Sequence, residues 1–305
     1  MSIIFGPILS RRFGKSLGVD LSPNYKQCNF DCLYCELLPG KKIENFEDII
    51  LPQKVIEEIK QALKKYPEID VLTFTANGEP TLYPFLDKVI DEVNLFKGDI
   101  KTLILSNASK IFEKKIQNAL KKFDIVKLSL DCFSKECFKK LDRALNLDID
   151  KIKKGIKEFA LEFDGEVIIE ILVVKGINDK EEEIQKIANF LKEINPKRVD
   201  LGTIDRPPAY DVKEVEFEDL LKLSLLFPEE ININIVTKAK EKSKKKFHFT
   251  QEQILETLKR RPLKLNDVEI LFDQQSKKNL KELLEEKKIV LKKQGEEEFF
   301  ISQKN

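Results

Sequence analysis

The 305-residue chain predicts an α/β fold, a parallel sheet covered by helices and wound either as a doubly wound sheet or as an open or closed barrel, with a small separate domain at its end. Three observations predict this. Through the first three quarters, short β-branched runs alternate with amphipathic helical stretches; the runs are predominantly apolar, as strands of a helix-covered parallel sheet are; and past residue 237 the pattern breaks and restarts.

The candidate strands are "SLGVDLSP", "DVLTFTA", "IKTLILSNA", "IVKLSLD", "EVIIEILVVK", "RVDLGTI" and "ININIVT". Between them lie helical patterns such as "LPQKVIEEIKQALKKYP", "IFEKKIQNALKKF" and "EEEIQKIANFLKEINP", and Pro52 suits a helix start, where its missing N–H costs nothing. The alternation defines a core domain over residues 1–237. "KAKEKSKKK", residues 238–246, has no apolar face and reads as an exposed linker. Residues 247–305 start afresh: Thr250 and Gln253 fit a capping box opening "QEQILETLKRR", Asn266 and Glu269 open "DVEILFD", Ser276 caps "KKNLKELLEEKK", and "IVLKKQGEEEFFIS" reads as two strands turning at Gly295. Three short helices and a hairpin predict a winged-helix domain.

Composition narrows the function. With 42% hydrophobic and 35% charged residues the chain is expected to bury a sizeable core, and its net charge of +1 supplies no global field toward nucleic acid or membrane. The N-terminal apolar run is too short for a signal peptide and no window has the length to span a bilayer, so a cytoplasmic protein without a membrane partner is expected. In a reducing compartment, close cysteines are more often metal ligands or redox centres than disulfides. A single histidine, His248, nearly excludes mixed Cys/His zinc sites and histidine acid–base chemistry.

Three of the five cysteines fall in "KQCNFDCLYCE", residues 26–36. Cys28, Cys32 and Cys35 form CxxxCxxC a few residues beyond the first predicted strand, the end of the sheet where α/β folds carry their sites. Structural zinc takes four protein ligands, and catalytic zinc on three thiolates without histidine is unusual. A cubane iron–sulfur cluster is held by thiolates, and three of them leave one iron open. The spacing alone also fits a ferredoxin-like or zinc context. Cys132 and Cys137 in "DCFSKEC" are too few for a second cubane; they remain a redox pair or packed thiols, outside the metal site.

The triad is the signature of the radical S-adenosylmethionine (SAM) enzymes, which the chain resembles at further stations. The resemblance implies a partial (β/α)6 TIM-like barrel, a 4Fe-4S cluster on Cys28, Cys32 and Cys35, and S-adenosyl-L-methionine chelating the open iron, where an electron from a donor such as a ferredoxin or flavodoxin cleaves it to a 5'-deoxyadenosyl radical. Tyr34 fits the family's aromatic before the third cysteine. "TFTANGEPTLYP" matches its Gly-Glu motif: Glu79 is expected to receive the SAM ammonium, with Asn77, Gly78 and Pro80 shaping the loop, against the plain alternative of an Asn-Gly turn. Ser106 and Asn107 in "LILSNAS" stand where members bind the SAM carboxylate or ribose, or else cap the next helix. Ser129 and Asp131 are implied as SAM or substrate contacts, and the "VKGIN" backbone at Gly176 as an adenine contact.

Substrate contacts are read at Arg11 and Arg12, which suit an anionic group, at Arg206 on the proline-stiffened loop "RPP", and at Lys175, whose alternative use is a Schiff base. The combination "FGPxxSRRxGxSLGVD", "CNFDCxYCE", "NGEPTL" and "RPP", over residues 1 to about 237, resembles the wyosine-synthase-like iron–sulfur oxidoreductases. Wyosine synthases carry a second cluster on cysteines upstream of the triad, and no cysteine precedes Cys28, so the likeness reaches radical initiation and not the wyosine reaction itself. Three functional classes remain open: a radical enzyme modifying RNA, such as a tRNA held by the tail and its lysines, one acting on a protein or small molecule, and a cluster-sensing regulator without catalysis.

Overall fold

The structure, a computed structural model, describes residues 2–10, 12–235, 246, 248–260, 262–265, 268–269, 272–294 and 297–303. Expectations for Arg11, linker residues 238–245, Asn266 and Gly295 fall outside these.

Eight strands form one sheet: β1 (Ile4–Ser10), β2 (Gly14–Asp20), β3 (Val71–Thr75), β4 (Lys101–Ser106), β5 (Ile125–Ser129), β6 (Glu166–Val173), β7 (Arg198–Thr203) and β8 (Ile233–Ile235). They stand side by side in chain order, β2 to β8 all parallel. That order decides between the two predicted windings. A doubly wound sheet reverses direction at a switch point, whereas a sheet that always grows at the same edge keeps its helices on one face and curls into a barrel. The helices of this core are α1 (Pro52–Lys65), α2 (Leu86–Asn94), α3 (Lys114–Leu120), α4 (Lys135–Leu141), α5 (Ile149–Glu162), α6 (Glu181–Ile194) and α7 (Phe217–Ser224). Pro52 takes the first turn of α1, as read.

Strand β1 was not among the predicted strands. It pairs antiparallel with β2 through a tight hairpin, and its register shifts between Phe5 and Ile8. Gly6 and Pro7 in "IFGPILS" interrupt the alternation that marks a strand. Phe5 enters the barrel over Gly18, where a Cβ would lie 2.2 Å from the phenyl ring, so glycine makes the room for it.

Alternation along the strands sorts side chains into two compartments. Leu17, Val19, Leu72, Phe74, Ile104, Val126, Ile169, Ile171, Val199 and Leu201 face the helices in the main core. Val71, Leu103, Ile125 and Ile168, with Phe13 and Leu105 against them, form a separate apolar plug inside the barrel. Above the plug, the inward positions become polar.

The tail comprises α8 (Gln251–Arg260), β9 (Leu263–Lys264), α9 (Gln274–Glu285), β10 (Ile289–Gln294) and β11 (Glu297–Ser302), the strands forming an antiparallel sheet in the order β10-β11-β9. The capping box forms reciprocally, Gln253 N–H to Thr250 Oγ1 at 3.3 Å and Thr250 N–H to Gln253 Oε1 at 3.2 Å. The cap of α9 is Asp273 rather than Ser276: its carboxylate, a stronger acceptor than a hydroxyl, takes both Ser276 N–H and Ser276 Oγ at 2.7 Å. Strand β9, a third partner for the hairpin, was not read from the sequence. Among the described residues the tail meets the core where Thr257 Oγ1 accepts from Gly6 N–H, where Gln253 reaches Tyr66 and where Lys264 pairs with Asp205 at 2.6 Å, and Phe249, Ile254 and Leu258 join the main core. Among the described residues no helix is long and apolar enough to cross a membrane.

Candidate active site

The inward positions of three consecutive strands carry charge at mid-strand: Lys127 on β5, Glu170 on β6 and Asp200 on β7. Arg12, from the β1–β2 hairpin, reaches up to join them. Lys127 Nζ lies 2.6 Å from Glu170 and 3.1 Å from Asp200, and Arg12 lies 2.6 and 3.2 Å from the same two carboxylates. Burial pushes both carboxylates up, but Lys127 and Arg12 together pull them below the ordinary carboxylate range; burial also draws Lys127 down. Arg12 therefore has internal counter-charges, which corrects its expected use on an external anion. Lys127, Glu170 and Asp200 were missed by sequence reasoning, although a charged residue in the middle of an apolar parallel strand is the signal that would have found them.

A cavity of 220 Å³ rises from this floor to the mouth, walled by Phe5, Phe13 and Leu105 below and by Asn77, Glu36 and Arg206 above. At the mouth, between β2 and α1, runs the loop bearing Cys28, Cys32 and Cys35. It is fastened on three sides. Gln27 pairs as a parallel bridge with Gly78, its N–H donating to Asn77 O at 2.7 Å and its carbonyl accepting from Glu79 N–H at 2.9 Å. Gly78 has φ +141°, and a Cβ there would stand 1.8 Å from Gln27 O, so this approach of the two backbones requires glycine. On the second side, the carbonyls of Leu141 and Asp142, at the end of α4, accept from Leu33 and Asp31 N–H. On the third, the "RPPAY" loop after β7 closes down: Ala209 N–H donates to Cys35 O at 2.9 Å, Tyr210 Oη donates to Asp31 at 2.8 Å, and Arg206 meets Glu36 at 3.2 Å.

The remaining predicted residues are brought to this loop or away from it. Glu79 is buried, and its oxygens accept from Thr81 N–H at 3.0 Å, Thr81 Oγ1 at 2.6 Å, Ser106 Oγ at 2.8 Å and Asn107 N–H at 2.7 Å. It thus ties the Gly-Glu loop to the end of β4, with Pro80 opening the short 3-10 turn it caps. Asn107 extends its amide to Cys28 Sγ at 3.7 Å. Tyr34 donates to Asp131 at 2.5 Å, and Asp131 also accepts from Leu172 N–H at 2.6 Å. Burial pushes Asp131 up to about 7 and Asp142, which accepts from Cys32 Sγ, well above the carboxylate range. Ser129 stands one inward step above Lys127 on β5. Gly176 and Lys175 lie exposed on the turn after β6. Exposure removes the desolvation on which a Schiff-base role for Lys175 depended.

The three sulfurs are half-buried, and burial pushes Cys28 up to about 12 and raises Cys32 and Cys35 as well. They do not all lie within 4.8 Å of one another. Tetrahedral zinc, with Zn–S near 2.3 Å, draws its sulfurs to about 3.8 Å apart; a cubane, which seats each thiolate on a different iron, spreads them wider. Donors already aim at these sulfurs, Phe30 N–H at Cys28 (3.3 Å) and Lys26 Nζ at Cys35 (3.7 Å), as anionic ligands require. The donor set fits an iron–sulfur cluster. Cys132 and Cys137 are joined to each other as a disulfide, Cα–Cα 5.5 Å, and stand apart from the triad.

A partial parallel barrel with a three-thiol loop at its mouth and a Gly-Glu loop zipped beside it defines a class. Residues 25–191 match the Radical SAM superfamily, and the chain belongs to it; its members use a 4Fe-4S cluster and S-adenosylmethionine. More particularly, the chain is 45% identical over 303 residues to a UPF0026 protein of Helicobacter pylori strain J99, covering 99% of this chain and 98% of that one. It is 36% identical over 240 residues to a UPF0026 protein of Methanocaldococcus jannaschii, covering 77% and 74%. Among solved structures, Streptococcus suis SuiB bound to S-adenosylmethionine is similar at a TM-score of 0.56 and 22% identity, over 73% of this chain and 51% of that one. TYW1 with a lysine-pyruvate adduct bound is similar at 0.52 and 17%, over 69% and 72%. Such likenesses speak for the fold.

Proposed function

We propose that this chain is a radical SAM enzyme that modifies a tRNA nucleoside, with Cys28, Cys32 and Cys35 as the cluster ligands. When bound, the cluster and SAM supply a 5'-deoxyadenosyl radical that abstracts hydrogen from the substrate. The observation that carries the reading is the Gln27–Gly78 zipper, which ties the triad loop to the Gly-Glu loop so that one molecule can touch both. Because Glu79 is engaged by four donors, its part is to hold that loop in shape, leaving the SAM ammonium to backbone carbonyls of residues 77–79 or to exchange with one of those donors. Tyr34, tethered by Asp131, and Asn107, at Cys28, brace the cluster loop from the ends of β5 and β4. A ferredoxin or flavodoxin is the proposed electron donor.

Helices α8 and α9 and the three-stranded sheet of the tail support a winged-helix module, and Lys259, Ser302 and Gln303 line a groove of 610 Å³ whose other wall is the segment flanking the cluster loop. On this reading the tail and lysines 238–246 present RNA to the mouth. A second reading, a small polar substrate, is favoured by the charged floor of the inner cavity.

The test has two parts. Anaerobically reconstituted, reduced protein is expected to form 5'-deoxyadenosine slowly from SAM without substrate; a loaded enzyme that never does so overturns radical chemistry. Filter binding of total tRNA at low and moderate salt, with the full chain and with a full-length variant carrying glutamine at lysines 238, 240, 242, 244, 245 and 246, is expected to give affinity that falls steeply with salt and is weakened by the variant. Equal binding by both discards these lysines as an RNA handle, and no binding by either removes RNA and leaves a protein or small-molecule substrate.

A further inference from the structure

Lys26, two residues before the first cysteine, has no part in the mechanism above. Its side chain is 11% exposed, and its ammonium sits 3.7 Å from Cys35 Sγ and 4.0 Å from Asp31 Oδ1. Asp31 is not a counter-ion for Lys26 alone, because Arg143 pairs with it at 2.8 Å and Tyr210 donates to both of its oxygens. The next carboxylate, Glu36, is matched by Arg206. A nearly buried ammonium is thus held against the Cys35 sulfur and, among the described residues, shares Asp31 with a better-placed guanidinium, an arrangement that suits additional negative charge on the sulfur side.

Resting on the reading that the triad holds the cluster, we infer that Lys26 is a redox-tuning residue whose fixed positive charge stabilises the reduced state and raises the cluster's reduction potential. Reduction adds one electron, from an external reductant such as dithionite, and hence one negative charge, to a centre whose potential depends on nearby charge and on hydrogen bonds to its sulfurs. A cation at the sulfur favours that step; a neutral side chain of similar size does not.

The experiment is a mediated redox titration of the reconstituted full-length protein without SAM, following the reduced cluster by electron paramagnetic resonance, for wild type, Lys26→Met, Lys26→Gln and Lys26→Arg. Iron and sulfide are assayed first. The neutral variants are expected to retain wild-type iron while their reduced-to-oxidised ratio at a fixed potential falls about tenfold, equivalent to ~59 mV for a one-electron couple, and Lys26→Arg is expected to stay near wild type. Full iron with less than about a twofold change in that ratio, a shift of under ~20 mV, overturns the proposal and leaves the cluster assignment standing. Loss of iron in both neutral variants assigns Lys26 to building the site and also overturns tuning. A wild-type protein that binds no cluster removes the triad reading itself.

Discussion

The floor and the mouth of this barrel bury charge in opposite ways. At the floor, Arg12, Lys127, Glu170 and Asp200 are one another's counter-ions, at 2.6 to 3.2 Å. At the mouth, three half-buried thiols stand with the buried Asp131 and Asp142, Lys26 lies 3.7 Å from Cys35, and burial still pushes all five acids up. Compensated burial makes a rigid scaffold; uncompensated burial marks a place that waits for a ligand. On the proposed reading the chemistry lies at the mouth, and the floor holds the strands that carry it.

Four measurements break or sharpen this contrast. The largest effect is expected at the mouth: replacing Cys28, Cys32 or Cys35 with alanine should reduce bound iron to background, while the Cys132→Ala/Cys137→Ala double variant keeps it. Iron retained without the triad ends the assignment. Next is the floor, where Lys127→Met strands two carboxylates on Arg12 and should cost about 3 kcal/mol of unfolding free energy in urea; adding Glu170→Gln should recover part of it, and a loss below ~0.5 kcal/mol, the size of an ordinary surface change, makes the network a bystander.

The two regions should also respond oppositely to pH. Glu170 and Asp200 lie below their unfolded values, so their contribution to stability is complete above about pH 4.5 and is lost as pH falls below it. Asp131, raised to about 7, works the other way: its contribution is present below about pH 4 and is lost as pH rises toward 7. Urea unfolding of the cluster-free protein should therefore show maximal stability between these limits, with Asp131→Asn flattening the upper limb and Lys127→Met the lower. An unchanged profile in both variants refutes the contrast. The smallest effect belongs to the tail contact, where Lys264→Ala should cost no more than ~1 kcal/mol, as partly exposed pairs do; a larger loss makes the Asp205 pair a principal anchor of the tail.

Much of the site was legible because its chemistry is local in sequence. Cys28, Cys32 and Cys35 stand on one short loop, the Gly-Glu motif on another, and the parallel strands announce themselves by apolar runs, as does the Thr250–Gln253 box. What was missed depended on partners distant in the chain. The β1 strand is recognisable by its pairing with β2 and by Phe5 over Gly18, Asp273 caps α9 where Ser276 was read, and Arg12 was offered to an outside anion because nothing in "SRRFGK" reveals Glu170 and Asp200.

The amino-acid order by itself therefore determined the three-thiol loop and the class of sheet, since thiol spacing and hydrophobic period are properties of neighbouring residues. Tertiary structure alone decided that the sheet adds strands at one edge and curls into a barrel, that Glu79 bonds to the end of β4, that Lys26 points at Cys35, and that four charges cancel on the floor. Each of these depends on which distant groups meet in a low-dielectric interior, where a few ångströms separate a compensated charge from a functional one.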